Sequence, residues 1–488
     1  MIDNNNYLIS MGRKNSAGKS TAPVPKTTTN QINSNNNNQI KLLTYNVFIR
    51  PPGIKNNAND YKDERLECLV SEKLEPKKNS KIVYGPNRIP NTSYRVDKCK
   101  FPYIPFLSPW RTPQYLLGNN SLTNNDNSTS TEEFVSLSKS IIQEFDIICF
   151  QELFSAFSYR QRRFIQQAKT QGFLYSAASP LPPYFKSTFL VDGGLVVLSK
   201  YPIKETGYLL YTQGVDSDML ASKGVLYTKI QTSPDKMIHL FTTHLQASYA
   251  HPEVPGQVAT STTTATANPN IKNDSIRTIQ LNQLRDFILS KTFDDQHTII
   301  LAGDLNVDGR TSRDNAKDSK TYIEMLDILC NTNKKYTSTL VDNNQLPASF
   351  YNNKKVFSVN DLLKQDCQGD HPPTVGDLFT TKQPTTNLPL QVPRETALTN
   401  PNDYGCMKRL DYILILNREF DLSSSNGAST SPVNIRLKSD TSSTTSATTA
   451  PIHLKDSTKV EPFFIEGFPF TQLSDHYGVS TILLNDRL

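Results

Sequence analysis

No two cysteines in this chain are spaced to hold a zinc ion. Cys68, Cys99, Cys149, Cys330, Cys367 and Cys406 lie far apart with no CxxC pair, which argues against a zinc module. No apolar run reaches the ~18 residues of a spanning helix, and Met1 to Ser20 has no apolar stretch suited to a signal peptide. No block of like charge marks a tail: 52 Lys and Arg stand against 46 Asp and Glu. That excess is mild for 488 residues. It favours anionic surfaces or phosphates without indicating a nucleic-acid binder. Tryptophan is almost absent, Trp110 being the sole example. These absences lead to an expectation of a reduced, cytoplasmic chain whose membrane contact is peripheral.

Hydrophobic residues make up 36% of the chain, and they are unevenly placed. Residues 1–39 are rich in Asn, Thr and Lys and are expected to be disordered. Residues 40–488 read as a single catalytic domain interrupted by insertions near 71–131, 252–273 and 424–460. The runs Ala259 to Asn270 and Ser439 to Thr449 cannot bury enough apolar surface to offset their ordering entropy, so they read as surface loops. The first insertion also carries an apolar and aromatic patch, Phe101 to Leu107 with Trp110, a candidate for membrane contact.

Between these segments strands and helices alternate. Strands are expected at Ile40–Val47, Asp146–Phe150, Gly193–Ser199, Gly224–Gln231, Met237–Thr243, Thr298–Ala302, Asp411–Leu416 and Tyr477–Leu484. Ser233-Pro234-Asp235 marks a hairpin turn. The periodicity predicts an amphipathic helix over Glu133–Phe145, with Phe134, Leu137, Ile141 and Ile142 near one face. Further helices are expected at Tyr159–Lys169 and at Ser275–Ser290, the latter capped by Asp274 or Ser275. The fold class is α/β: two stacked sheets flanked by helices.

Four of these strands end in polar groups. Asn46 closes the first, and Gln151-Glu152 follows the second. Thr243-His244 and Gly303-Asp304-Leu305-Asn306 follow two others. Mg²⁺ takes hard oxygen ligands and keeps several waters, so Glu152 with Asn46 beside it suffices for a site; a lone carboxylate at a strand end is otherwise ordinary. Asp304 and Asn306 share one face of extended backbone and could meet a phosphate or its attacking water. An Asx turn is the plain alternative. His476 suits a general base, with Asp411 to fix its tautomer. His244 could donate to a phosphoryl oxygen as charge builds. His251, His297, His371 and His453 read as solvated loop residues, and Cys149 as core. No serine or cysteine sits in a nucleophile-elbow setting, so direct attack by water is favoured. The set suits phosphodiester hydrolysis.

These residues resemble the endonuclease/exonuclease/phosphatase superfamily, whose fold is a four-layer, two-sheet sandwich with its site at one rim. Within it the chain is similar to the neutral, Mg²⁺-dependent sphingomyelinases. The resemblance rests on Gly193 to Ile203, Asp218 to Val225, Thr243 to Ala247, Gly303 to Asn306 and Ser474 to Tyr477, over residues 40–50, 132–310 and 405–488. It implies hydrolysis of sphingomyelin to ceramide and phosphocholine, with Mg²⁺, or Mn²⁺ in its place. Glu152 would be the principal metal ligand, with Asn46 and Asp475 near the metal. Asp304 and Asn306 would orient water and phosphate, and His244 would stabilise the transition state. His476 would be the base, oriented by Asp411. Asp218 and Lys223 resemble a pair thought to switch on lipid binding, with Lys223 catalytic. The partner implied is a sphingolipid at a membrane surface, met by a monomer, with no nucleic acid. The competing expectation is a nuclease or other phosphoesterase of the superfamily, for which Arg160, Arg162 and Arg163 are the local basic cluster.

Overall fold

The computed structural model describes residues 38–57, 59–76, 93–96, 134–182, 187–248, 269–293, 295–332, 355–376, 378–382, 386–422, 435–437, 452–465 and 468–488. Segment 1–37, the patch around Trp110 and the Ser/Thr-rich runs of the second and third insertions lie outside these residues, apart from the last two positions of the Ala259–Asn270 run.

Twelve strands form two six-stranded sheets. In chain order they are β1 (Gln39–Ile49), β2 (Ile147–Leu153), β3 (Tyr175–Ala178), β4 (Val196–Ser199), β5 (Ile203–Leu210), β6 (Gly224–Ser233), β7 (Lys236–Thr243), β8 (Thr298–Asp304), β9 (Phe357–Asp361), β10 (Asp411–Arg418), β11 (Lys459–Glu461) and β12 (Gly478–Leu484). The first sheet runs β11-β12-β1-β2-β4-β3 and the second β9-β10-β8-β7-β6-β5. Each has one parallel pair near its middle, β1 with β2 and β7 with β8, and antiparallel neighbours outside it. Strands buried on both faces need apolar side chains throughout. β2 and β8 supply this with Ile147-Ile148-Cys149-Phe150 and Ile299-Ile300-Leu301-Ala302, all fully buried.

The alternation of side chains sorts the core into layers. From β1, Ile40 and Leu42 meet Ile238, Leu240, Ile300 and Ile413 between the sheets. Leu43, Tyr45 and Val47 point the other way, onto α1 (Lys62–Val70) and α2 (Arg160–Thr170) through Leu66, Leu69, Phe164 and Ala168. The outer face of the second sheet packs Phe241 and Leu301 against Leu284, Phe287 and Ile288 of α3 (Pro269–Thr292), and Tyr322 and Met325 of α4 (Lys320–Cys330). The expected four-layer sandwich is what the chain forms.

Several local expectations need correction. Glu133–Phe145 is not a helix: Phe134–Ser140 is a strand and Ile142–Glu144 one 3₁₀ turn. Its serines at 136, 138 and 140 fall at period two. The strand pairs with Glu72–Pro76, inside the segment read as the first insertion. Ser93–Val96 and Phe464–Ile465 extend that small sheet. α3 begins at Pro269, where a proline lacks nothing a helix start needs, so Asp274 and Ser275 lie within the helix and do not cap it. The strand after Gly193 starts at Val196. The third insertion contributes β11 to the sheet edge. His371 and His453 are buried, because Arg409 and Asp318 hold the first and Asp366 the second. Among the described residues no helix is long and apolar enough to cross a membrane.

Candidate active site

Both parallel pairs run toward the same rim, and their C-terminal ends meet there. A polar layer crosses between the sheets just below it. The Gln151 amide donates to Thr44 Oγ1 at 3.1 Å and to Thr242 Oγ1 at 3.0 Å. Gly303 lets β8 approach β7 closely, since a Cβ there would stand 2.3 Å from Thr243 O.

Asn46 joins the two sheets at the rim. Its Nδ2 donates to Glu152 Oε1 at 3.1 Å and to Asp304 Oδ2 at 3.0 Å. Glu152 and Asn306 hold left-handed backbone, φ 53° and 50°, a strain of about 1–3 kcal/mol each for non-glycine residues, typical of functional sites. The Asn306 N–H donates to Asp304 Oδ1 at 2.9 Å and its side chain to Leu245 O at 3.1 Å. The Asx turn weighed from sequence is therefore present, and it aims Asp304 Oδ2 into the site.

Two imidazoles flank that oxygen. His476 Nε2 lies 3.8 Å from it and His244 Nε2 3.6 Å. His476 Nδ1 meets Asp411 Oδ2 at 2.9 Å, which places the Nδ1 proton toward Asp411 and leaves Nε2 facing the site. His244 Nε2 is 4.0 Å from Glu152 Oε1 and 3.4 Å from Lys223 Nζ. Lys223 in turn pairs with Asp218 at 2.8 Å and donates to Leu245 O at 2.9 Å.

Charge separates the two histidines. Burial works against a proton on His476, but Asp411 and Asp304 outweigh it and hold the imidazole well above its ordinary range. Burial and then Lys223 push His244 down to about 4, so it is neutral near pH 7. Burial raises Asp475 to about 6, with Glu152 adding to the effect. Burial also raises Asp304 above the usual carboxylate range.

This crowding is a test of whether a cation fits. Glu152, Asp304, Asp411 and Asp475 bring four carboxyls to one rim, and burial disfavours the charge of two of them. A hard divalent ion relieves that repulsion and prefers this oxygen donor set. Asp304, Asp411 and His476 also have ligand atoms within 4.8 Å of one another. His476 Nδ1 takes Asp411 Oδ2, while Asp411 Oδ1 is buried without a hydrogen-bond partner among the described residues.

Two positioning groups escaped the sequence reading. The fully buried Arg65 guanidinium donates to Val47 O and Phe48 O at 2.7 Å and to Leu473 O at 2.9 Å. It ties the end of β1 to the segment before Ser474. Thr374 Oγ1 accepts the Leu410 and Asp411 N–H groups, at 3.0 and 3.3 Å, while its carbonyl accepts Tyr477 N at 2.7 Å. Neither contact has a sequence signature, because each joins segments far apart in the chain.

The geometry can be set against known proteins. The model of the "Endonuclease/Exonuclease/phosphatase family" matches residues 123–415. A sphingomyelinase of Dictyostelium discoideum is 53% identical over 474 residues, covering 91% of this chain and 98% of that protein. The chain belongs to the sphingomyelinase branch of the endonuclease/exonuclease/phosphatase family. A sphingomyelinase C of Bacillus cereus is 31% identical over 153 residues, 31% of this sphingomyelinase-family chain and 40% of its own length. Among solved structures, beta toxin from Staphylococcus aureus aligns with a TM-score of 0.44 and 17% identity, over 91% of this chain and 99% of that one.

Proposed function

We propose that this sphingomyelinase-family enzyme hydrolyses sphingomyelin by direct attack of water on the phosphodiester, releasing phosphocholine and leaving ceramide. The observation that carries the mechanism is His476 Nε2 facing Asp304 while Nδ1 is held by Asp411.

In the form whose Nε2 carries no proton, His476 takes the proton of the attacking water at Nε2, and the departing ceramide oxygen takes a proton from solvent. The imidazolium that forms has Asp411 on one side and Asp304 on the other as counter-charges. Asp304 and Asn306 orient the water and phosphate, and their rigid turn limits the reorganisation the reaction needs. His244 is neutral and contributes a hydrogen bond. The fixed positive charge beside it is the Lys223 ammonium, which counters charge building on the phosphoryl oxygens. Glu152, Asn46 and Asp475 would hold Mg²⁺, or Mn²⁺ in its place. Such an ion polarises the phosphoryl group and stabilises the leaving oxygen when bound. Residues 40–488 work as one catalytic domain in this reading, acting as a monomer from the cytoplasmic side of a membrane.

The experiment is phosphocholine release from sphingomyelin micelles by the purified protein. Release that is lost with chelator and with His476→Ala supports the reading. Cleavage of a nucleic-acid substrate instead, with the same metal dependence, would transfer the site to a nuclease.

A further inference from the structure

Phe157 is 71% exposed, and Tyr159, two residues on, is 65% exposed. Phe157 also holds left-handed backbone, φ 57°, which a bulky side chain adopts only at a cost. Its exposed ring returns none of that cost through packing. Isolated exposed apolar residues need no explanation, whereas a cluster does. Leu190 is 54% exposed, Met219 55% and Leu220 41%, and these belong with Phe157.

Hydrogen bonds lace the three loops together. Asp192 Oδ1 accepts the Ser155 and Ala156 N–H groups, each at 3.0 Å. Leu190 N donates to Leu220 O at 2.8 Å, and Ser222 N to Val191 O at 2.9 Å. The same loops carry the site. The first follows Glu152. The second leads to Gly194, where a Cβ would stand 3.2 Å from Glu152 Cα. The third runs from Asp218 to Lys223. Positive charge lies beside them on α2, where Arg162 and Arg163 are exposed. Asp63 meets Arg160 and Arg163, and Glu67 also faces Arg163, which leaves Arg162 as the exposed guanidinium that Asp63 does not meet.

We propose that Phe157, Tyr159, Leu190 and Met219 form a lipid-docking rim that enters the interface of a bilayer containing anionic lipid, with Arg162 facing the headgroups. Aromatic and aliphatic side chains beside arginine are the composition that such an interface binds. The assignment rests on the sphingolipid reading above: both hydrocarbon chains of that substrate lie in the bilayer, so the mouth of the site has to meet the surface.

The test separates docking from chemistry. Binding is measured on vesicles of phosphatidylcholine and phosphatidylserine without sphingomyelin. Hydrolysis is measured on a short-chain sphingomyelin kept monomeric, below its aggregation concentration. The double variant Phe157→Ser with Leu190→Ser is expected to bind vesicles at least tenfold more weakly while cleaving the monomeric substrate at the parental rate, which also shows that it folds. Arg162→Glu is expected to weaken binding several-fold at low salt and to match the parent at high salt. Vesicle binding of the double variant within twofold of the parent would overturn the rim. So would a parent that cleaves the monomer and binds no vesicles. A parent that binds through the rim but cleaves no sphingomyelin would support the rim and sink the substrate reading.

Discussion

The two sides of Asp304 carry the same residue type in opposite electrostatic settings. On one side His476 sits between Asp411 and Asp304, which favour its charged form against burial. On the other His244 sits against Lys223, and burial with that ammonium drives its proton off. The lesson is that the backbone delivers two imidazoles to one oxygen, and their second neighbours assign the roles. In the proposed mechanism the histidine paired with a carboxylate becomes an imidazolium during attack and gives that proton up before the next turnover. The histidine beside a lysine is held neutral, and in the same mechanism it contributes a hydrogen bond.

Removing the base should break this comparison most severely. His476→Ala is expected to lower kcat about 10³-fold, within the ~10²–10⁴ that a positioned base contributes, measured as phosphocholine release with folding checked by circular dichroism. Asp411→Asn should cost about 10²-fold. It should also move the acid limb of the rate profile to lower pH, because a carboxylate that holds the His476 proton has been neutralised. A limb that stays in place would contradict the assignment of Asp411. Lys223→Met should cost about 30-fold, on the order of one transition-state hydrogen bond or charge. It should let the His244 pKa rise from about 4, seen by NMR titration of the imidazole.

A smaller effect concerns what stands behind the His476 side. Asp361 meets Arg409 through both carboxylate oxygens at 2.6 and 2.7 Å, fully inside the protein. Burial raises the Asp361 carboxyl, but Arg409 outweighs it and the net direction is down. A depressed folded-state value means that the pair stabilises fully above the ordinary carboxylate pKa. That contribution is lost as pH falls from there through the folded-state value. Asp361→Asn should therefore destabilise by about 3 kcal/mol near pH 7, with the difference shrinking below about pH 4. Chemical denaturation at several pH values measures it.

What the sequence made legible follows the same division. Strands buried on both faces announce themselves through unbroken apolar runs, and the polar residue that ends each run is the one that reaches the rim. Asn46, Glu152, His244 and Asp304 were visible for that reason. His476 was visible through its Ser474-Asp475 neighbours and the strand after it. The strand Phe134–Ser140 was not, because its apolar residues also fit a helical spacing and only its distant partner Glu72–Pro76 decides between them. His371 looked like a loop histidine because the groups that bury it, Arg409 and Asp318, lie far away in the chain. Thr374 and the role of Arg65 were missed on the same ground: their work is done by hydrogen bonds to remote backbone.

The most direct measurement is phosphocholine release from sphingomyelin by the purified protein, with Mg²⁺, with EDTA, and with His476→Ala. The account predicts release that requires both the ion and the imidazole. Release that persists in EDTA, or in the His476→Ala protein at the parental rate, would contradict it.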